Sequence, residues 1–465
     1  MSAAPAPPLL LFNARLVDAV RDAPGALLFS DGRIAAVFEG NFFTPESCRA
    51  FMPAASFDAR GLTAQPAFVD LHAHFRYPGQ SDKETLESAL RAAKAGGYGT
   101  LVLMPNTSPP VSDYRVALGI QAEAAAFGLA DVLQSVTITR AFSGDAAGDV
   151  SHLDALPPYT GGEGLPLVSN DGHDVDSAAA LFAALRKCAQ KGIVVACHSE
   201  DAALAREARA LREQAFRLLS QQGDWFAPCP EADSRLARAN ELFMLAEDVA
   251  TSRNLLLADS ARCRVHICHA STARSLQAVR RAKQACAARG EEPLVSCEIT
   301  PHHLSLAAEG ENLRHIVNPP LRSEADRAAL IESLADSGAF AADAIATDHA
   351  PHTARDKLSG APGFPGLETA YAVCNTALVA SGRTSASRLS ALMSANPARI
   401  LGLDRGTFPK GRLSPGFAAD VVLVDPAERW TVDDAEFRTK GKGSPFAGKT
   451  LMGRVKAVFR RGVLL

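Results

Sequence analysis

What the chain lacks narrows its place. No apolar stretch approaches the ~20 residues that a membrane-crossing helix requires. The opening "MSAAPAPPLLLF" has no basic n-region, and its apolar run is too short for a secretory leader. Formal net charge is only −3 over 465 residues, which points to neither nucleic acid nor a membrane surface as partner. Nine cysteines occur without a CxxC pair, and their odd count suits reduced thiols in a cytoplasm. There is no repeat of fixed period and no long low-complexity tract. What remains is an ordinary globular composition, 47% hydrophobic and 21% charged, long enough for one large domain and a smaller one.

Residues 8–60 read as short strands and turns, as in "GALLFSDGRIAAVFEG", and the last segment reads alike in "ADVVLVDPAERWTV" and "GRVKAVFRRGVLL". Between them the texture changes. Eight apolar runs, at 68–74, 100–106, 131–139, 165–171, 193–198, 264–269, 294–300 and 341–348, alternate with Ala-rich amphipathic stretches such as 82–95, 113–126, 177–191 and 272–289. This alternation predicts an α/β fold, a (β/α)8 TIM-type barrel over 63–400 with its site at the C-terminal strand ends. Residues 1–62 and 401–465 are expected to fold together as a small β-sandwich domain. Residues 203–230 exceed a normal barrel connection; "EARALREQAFRLLSQQ" reads as an inserted helix and "APCPEAD" as a loop.

The polar residues that interrupt these runs fall where that architecture would put a site. The first run ends in His72, His74 and Arg76, spaced by two and so aimed to one side of a strand. The second ends at Asn106, the fourth at Asp171, the fifth at His198, the sixth at His269 and the eighth at Asp348. One strand-end histidine is usually a hydrogen-bonded structural residue, and one Asp before Gly a turn. Four histidines and two aspartates at one rim are a metal set, with chemistry suited to Zn2+ and related ions. Asp171 or Asp348 could bridge a metal pair, and the other carboxylate could shuttle a proton. Arg76 and Asn106 would hold a carboxylate-bearing substrate. Metal-assisted hydrolysis of a C–N bond is the chemistry these residues suit. Cys197 and Cys268, each preceding a candidate histidine, should point into packing, and His266 reads as a core residue in mid-strand.

The motifs "DLHAHFRYPG", "MPNTSPP", "HAST", "TPHHL", "VNPPLR", "ATDHAPH" and "FPGLET", in that order, resemble the dihydroorotases of the amidohydrolase superfamily, longer bacterial type. The resemblance spans about 70–396. It implies a zinc enzyme with one or two ions, interconverting L-dihydroorotate and N-carbamoyl-L-aspartate in pyrimidine synthesis. It also implies that His72, His74 and Asp348 hold one ion and His198 and His269 a second, with Asp171 bridging. Asp348 would be the general acid/base, and Arg76, Asn106, Asn318, His352, Gly366 and Leu367 would contact substrate. Relatives are often homodimers or assemble with aspartate transcarbamoylase.

Two departures stand out. Relatives usually carry two aspartates before the fourth-run glycine, whereas this chain has Asn170-Asp171-Gly172, and Asp171 takes the metal role. Tyr77 follows Arg76 where relatives often have Glu. The rival hydantoinases and allantoinases usually bridge their metals with a carboxylated lysine at the end of strand 4, where this chain offers Val168, Ser169, Asn170 and Asp171. A non-catalytic partner of aspartate transcarbamoylase would be expected to have lost metal histidines, and all four are here.

Overall fold

The structure, a computed structural model, describes residues 8–40, 46, 53–143, 145–162 and 164–465; most of the opening stretch and Cys48 lie outside them. Near the N-terminus come β1 (Leu9–Val17), β2 (Asp22–Ser30), β3 (Arg33–Glu39), β4 (Ala55–Asp58) and β5 (Thr63–Pro66). Eight short strands follow: β6 (Phe68–Ala73), β7 (Tyr98–Leu103), β8 (Asp131–Gln134), β9 (Leu167–Ser169), β10 (Val194–Cys197), β11 (Val265–Ile267), β12 (Val295–Ile299) and β13 (Ala344–Ile345). The chain closes with β14 (Val421–Thr431), β15 (Thr450–Arg460) and β16 (Val463–Leu464).

Strands β6 to β13 are parallel throughout, in two arcs of order β6-β7-β8 and β9-β10-β11-β12-β13. Single parallel bridges join the arcs at both seams, Val136 to Val168 and Ala73 to His349. Burial on both faces explains their Val, Ile, Leu and Ala content, because helices cover parallel sheets outside and side chains fill them inside. The expected helices form as α1 (Leu86–Ala95), α2 (Tyr114–Phe127), α3 (Ala178–Lys191) and, later in the chain, Ala273–Ala288. Each begins after a Thr, Asp or Ser whose side chain accepts an early backbone N–H: Thr85, Asp113, Ser177 and Thr272.

The insertion is larger than its sequence suggested. It forms a helical hairpin of α4 (Ala202–Gln222) and α5 (Pro230–Ala261). "APCPEAD" is only partly a loop: Pro230 starts α5, with Glu231 and Asp233 in its first turn. Proline at N1 loses no helical hydrogen bond, and acids there favour the helix dipole, so a turn-like string nucleated a helix.

Strands from both ends of the chain join in one mixed sheet of order β16-β15-β14-β5-β1-β2-β3, with β4 on β1. A flat sheet would hold β15 and β2 about 19 Å apart, four steps of 4.7–4.9 Å. Yet the Phe29 and Phe459 rings lie 5.6 Å apart, and Phe57 meets Phe459 edge-on at 5.2 Å. The sheet therefore folds over its own core of Leu11, Leu27, Ala64, Val421 and Leu423, which gives sandwich-like packing without two separate sheets. Lys410 joins it to the parallel strands, bonding Asp131 of β8 at 2.7 Å and Asp420 at 2.6 Å, while Arg460 of β15 reaches Asp131 at 2.6 Å.

Candidate metal centre and substrate site

The strand ends bring the six expected ligands together, all buried. Asp171 is the hub. Its Oδ1 lies 3.2 Å from His72 Nε2, 3.3 Å from His198 Nδ1 and 3.4 Å from His269 Nε2, while Oδ2 lies 3.4 Å from His74 Nε2. Asp348 Oδ1 is 3.1 Å from His74 Nε2 and 3.7 Å from His72 Nε2. His198 Nδ1 approaches His269 Nε2 to 2.9 Å.

Asn170 is not part of this set. Its Oδ1 accepts the Ile138 N–H at 2.8 Å and the Thr139 N–H at 3.2 Å, and its amide donates to Thr139 Oγ1 at 2.7 Å. It satisfies the backbone beyond β8, which has no ladder partner there. Tyr77 likewise turns outward, its hydroxyl donating to Glu123 at 2.6 Å.

The donors fit a divalent cation. His72 donates from Nδ1 to Glu298 Oε1 at 3.1 Å, which leaves Nε2 buried, aimed at the carboxylates and without a hydrogen-bond partner among the described residues. His74 donates from Nδ1 to Asn106 Oδ1 at 3.0 Å, leaving its Nε2 for the same space. An imidazole whose far nitrogen is held by an acceptor presents the other as a ligand. Burial pushes the Asp171 and Asp348 carboxyls up, but the histidines around them outweigh it and hold both below the usual carboxylate range.

Glu298, in mid-strand on β12, was not read from the sequence. Its Oε2 accepts from His266 Nε2 at 3.0 Å, and His266 Nδ1 contacts Ser296 Oγ at 2.8 Å. Burial raises its carboxyl, but His266 and His72 bring it down to about 2. His266 is thus buried but engaged, the second partner of the carboxylate that orients His72. Cys197 packs in the core as expected, whereas the Cys268 thiol also comes within 4.8 Å of His72 and Glu298 ligand atoms. Asp70 was also missed. Its carboxylate accepts from Thr347 N at 2.9 Å and Thr347 Oγ1 at 2.5 Å, tying β6 to the residue before Asp348.

The substrate residues divide. Arg76 and His352 meet beside the histidines, with Arg76 Nη2 3.0 Å from His352 Nε2 and Arg76 Nε donating to the Pro351 carbonyl at 3.2 Å. Burial and the Arg76 charge push His352 down to about 3, so it is neutral. Asn318 reaches the set from the far side, its Nδ2 3.3 Å from His198 Nε2. Asn106, expected on substrate, contacts two of the expected ligands: its oxygen takes the His74 bond and its amide donates to Asp171 Oδ2 at 3.2 Å. Gly366 and Leu367 direct their amides at His349 Nδ1, at 3.1 and 3.5 Å, away from the cluster.

A segment of the C-terminal region packs against Pro351 and His352. Glu368 accepts from Arg438 N at 2.8 Å and Thr439 N at 3.2 Å, while buried Glu84 accepts from Lys440 N at 3.2 Å and from Thr439 Oγ1. Gly441 then lies against Pro351 so closely that a Cβ would stand 2.6 Å from Pro351 Cβ. Three site residues, Arg76, His269 and Asp348, hold positive φ of 55°, 33° and 47°. Such backbone is costly for a residue with a Cβ and collects at functional sites.

Comparison with known proteins agrees with this geometry. The amidohydrolase family model matches residues 63–465. A dihydroorotase of Clostridium botulinum (strain Eklund 17B / Type B) is 33% identical, covering 98% of each chain. One of Anaeromyxobacter dehalogenans (strain 2CP-1) is 36% identical, covering 96% of this chain and 95% of the relative. One of Geobacter sp. (strain M21) is also 36% identical, over 96% of each. Among solved structures, the L-hydantoinase of Arthrobacter aurescens superposes with a TM-score of 0.79 at 25% identity, covering 99% of this chain and 96% of that one. The chain belongs to the amidohydrolase family, alongside the dihydroorotases.

Proposed function

We propose that the chain is a metal-dependent dihydroorotase, interconverting L-dihydroorotate and N-carbamoyl-L-aspartate in pyrimidine synthesis. The observation that carries the reading is one buried carboxylate, Asp171, within 3.4 Å of four strand-end histidines. No lysine stands at the end of β9, which separates this site from hydantoinase-type centres bridged by a modified lysine. Relatives at 33–36% identity that carry the name dihydroorotase support the same choice.

Zinc, one or two ions per chain, is the cofactor we infer, held by His72, His74, His198, His269, Asp171 and Asp348. A divalent ion held there would supply Lewis acidity toward the scissile carbonyl and water. The remaining work falls to the chain itself. Asp348, ionised at neutral pH, accepts a proton from the attacking water and returns it to the leaving ring nitrogen. Water's oxygen bonds the carbonyl carbon as the C–N bond opens, and the new carboxyl group releases water's second proton to solvent to become the carboxylate. Arg76, with His352, holds the substrate's existing carboxylate. Asn318 faces the reacting amide. Asn106 keeps His74 and Asp171 in register, and Gly366 and Leu367 shape the wall through His349.

The strand order with bridges at both seams supports a (β/α)8 barrel over 63–400, flanked by segments 1–62 and 401–465. We further infer a cytoplasmic enzyme, since the cysteines among the described residues are all free. A homodimer, or assembly with aspartate transcarbamoylase, completes the proposal.

The test is hydrolysis of dihydroorotate by purified protein, with and without chelator, beside hydantoin and allantoin, with metal content on the same sample. Chelator-sensitive turnover of dihydroorotate alone is expected. Turnover of hydantoin or allantoin instead would transfer the assignment, and no turnover with zinc restored would favour a scaffold role.

A further inference from the structure

The helical hairpin of α4 and α5 has no part in the chemistry above, yet α4 pairs directly with Glu200, two residues past His198, and α5 reaches it through Asp174. Arg209 of α4 pairs with the Glu200 side chain. Arg253 of α5 bonds Asp174 at 3.1 Å, and Asp174 in turn accepts the Glu200 backbone N–H at 3.2 Å. The side chain is thus held by one arginine of the insertion, and the backbone by an aspartate that the other arginine anchors.

The other Glu200 oxygen, Oε2, lies 2.9 Å from Asn318 Nδ2. The Arg209 guanidinium takes Oε1, so both Glu200 oxygens serve as acceptors. A carboxylate paired with a guanidinium offers only lone pairs, so the Asn318 atom facing it is the NH2 group. The amide oxygen is therefore forced the opposite way. There Oδ1 is buried and finds no partner among the described residues. A buried acceptor left unpaired is costly unless a ligand completes it, and only an N–H or O–H donor can do so.

We propose that Glu200 is a positioning residue: clamped by the inserted hairpin, it fixes the Asn318 amide so that its oxygen receives an N–H of the substrate's cyclic amide. The inference rests on the dihydroorotase reading, whose substrate carries such ring N–H groups. It gives the insertion a role in recognition rather than in covering the site. A flipped amide would set its NH2 against the substrate's N–H, two donors face to face, and recognition would be lost.

The experiment compares wild type with Glu200→Gln and Arg209→Ala, the latter at a partly exposed position that leaves the fold undisturbed. Steady-state kinetics are measured on dihydroorotate and on its ring-N-methylated analogues, with metal content per chain. Glutamine can present either group to Asn318, so orientation is no longer imposed. KM for dihydroorotate should rise about tenfold or more in Glu200→Gln, with kcat changed less than about threefold and metal retained. Arg209→Ala should move KM the same way by a smaller factor. The wild type's discrimination against at least one N-methylated analogue should shrink by a similar factor in Glu200→Gln. Unchanged KM and unchanged discrimination would overturn the inference, as would a loss of metal that accounts for the defect through His198. Wild type that turns over no dihydroorotate would overturn the functional reading itself, and this inference with it.

Discussion

Replacing Gly441 by alanine should weaken substrate binding without touching a ligand, a proton donor or the substrate itself. Gly441 has an ordinary backbone conformation, so alanine adds only a methyl group. That methyl would stand 2.6 Å from Pro351 Cβ, 2.9 Å from Pro351 Cα and 3.0 Å from His352 N. Carbon atoms rest at about 3.5–4.0 Å, so something must yield by roughly 1 Å. The Gly441 side resists, because Glu368 and Glu84 hold the preceding residues by their backbone N–H groups and Lys442 Nζ donates to the Phe437 carbonyl at 2.8 Å. The yielding side is Pro351-His352, whose carbonyl and imidazole contact Arg76. Misplacing a binding group by about 1 Å can cost up to ~100-fold. The expected result is a kcat/KM for dihydroorotate lowered about 10- to 100-fold, mostly in KM, with metal content unchanged. Overpacking should also cost about 1–3 kcal/mol of stability, visible in thermal unfolding. Initial rates over a range of substrate concentrations, with metal analysis and a melting curve, decide it. A folded variant with kcat/KM within threefold of wild type would refute the reasoning.

Other perturbations read other parts of the molecule. Glu298→Gln should lower zinc affinity about 10- to 100-fold in a chelator competition, since it removes the charge that orients His72; equal affinity would deny Glu298 that role. Asp348→Asn should cost about 100-fold or more in kcat, and a variant that keeps a tenth of wild-type turnover would argue against proton transfer by Asp348. Asp131→Asn should destabilise the fold by about 2 kcal/mol at neutral pH in denaturant titration, because it leaves Lys410 and Arg460 short of a partner. Lys410 and Arg460 outweigh burial and hold the Asp131 carboxyl below its ordinary value, so its contribution is present above about pH 4 and fades as acid protonates it. The wild-type advantage over Asp131→Asn should therefore narrow below about pH 4, and an advantage that grows in acid would contradict the ion pair.

Much of this was legible in the sequence, and what was not has identifiable causes. The strand-end histidines stood out because they interrupt apolar runs at one recurring place. Helix starts were legible at Asp113, Ser177 and Thr272, whose caps are local events, whereas the first helix, read from 82, starts at Leu86 behind Thr85. Choosing Asp171 over Asn170 on chemical type agrees with the geometry, but the job Asn170 does at Ile138 and Thr139 lies about thirty residues away and leaves no local mark. Glu298 and His266 sit in mid-strand, where alternation predicts packing, and only the neighbouring strands show that they face each other. Asn106 lies beside His74 and Asp171, but spacing says nothing of whether an amide faces ligand or substrate. The Gly441 contact comes from a segment with no motif chemistry, brought to Pro351 by the sheet that the two ends of the chain share.

The three left-handed residues carry a consequence for anyone who selects this protein for robustness. Glycine at position 76, 269 or 348 would relax the backbone, each recovering part of the roughly 1–3 kcal/mol that such a conformation costs. Each change would also delete a guanidinium, an imidazole or a carboxylate from the site. A library screened on heat resistance alone should therefore accumulate dead variants at these positions, and selection should be run on turnover after heating.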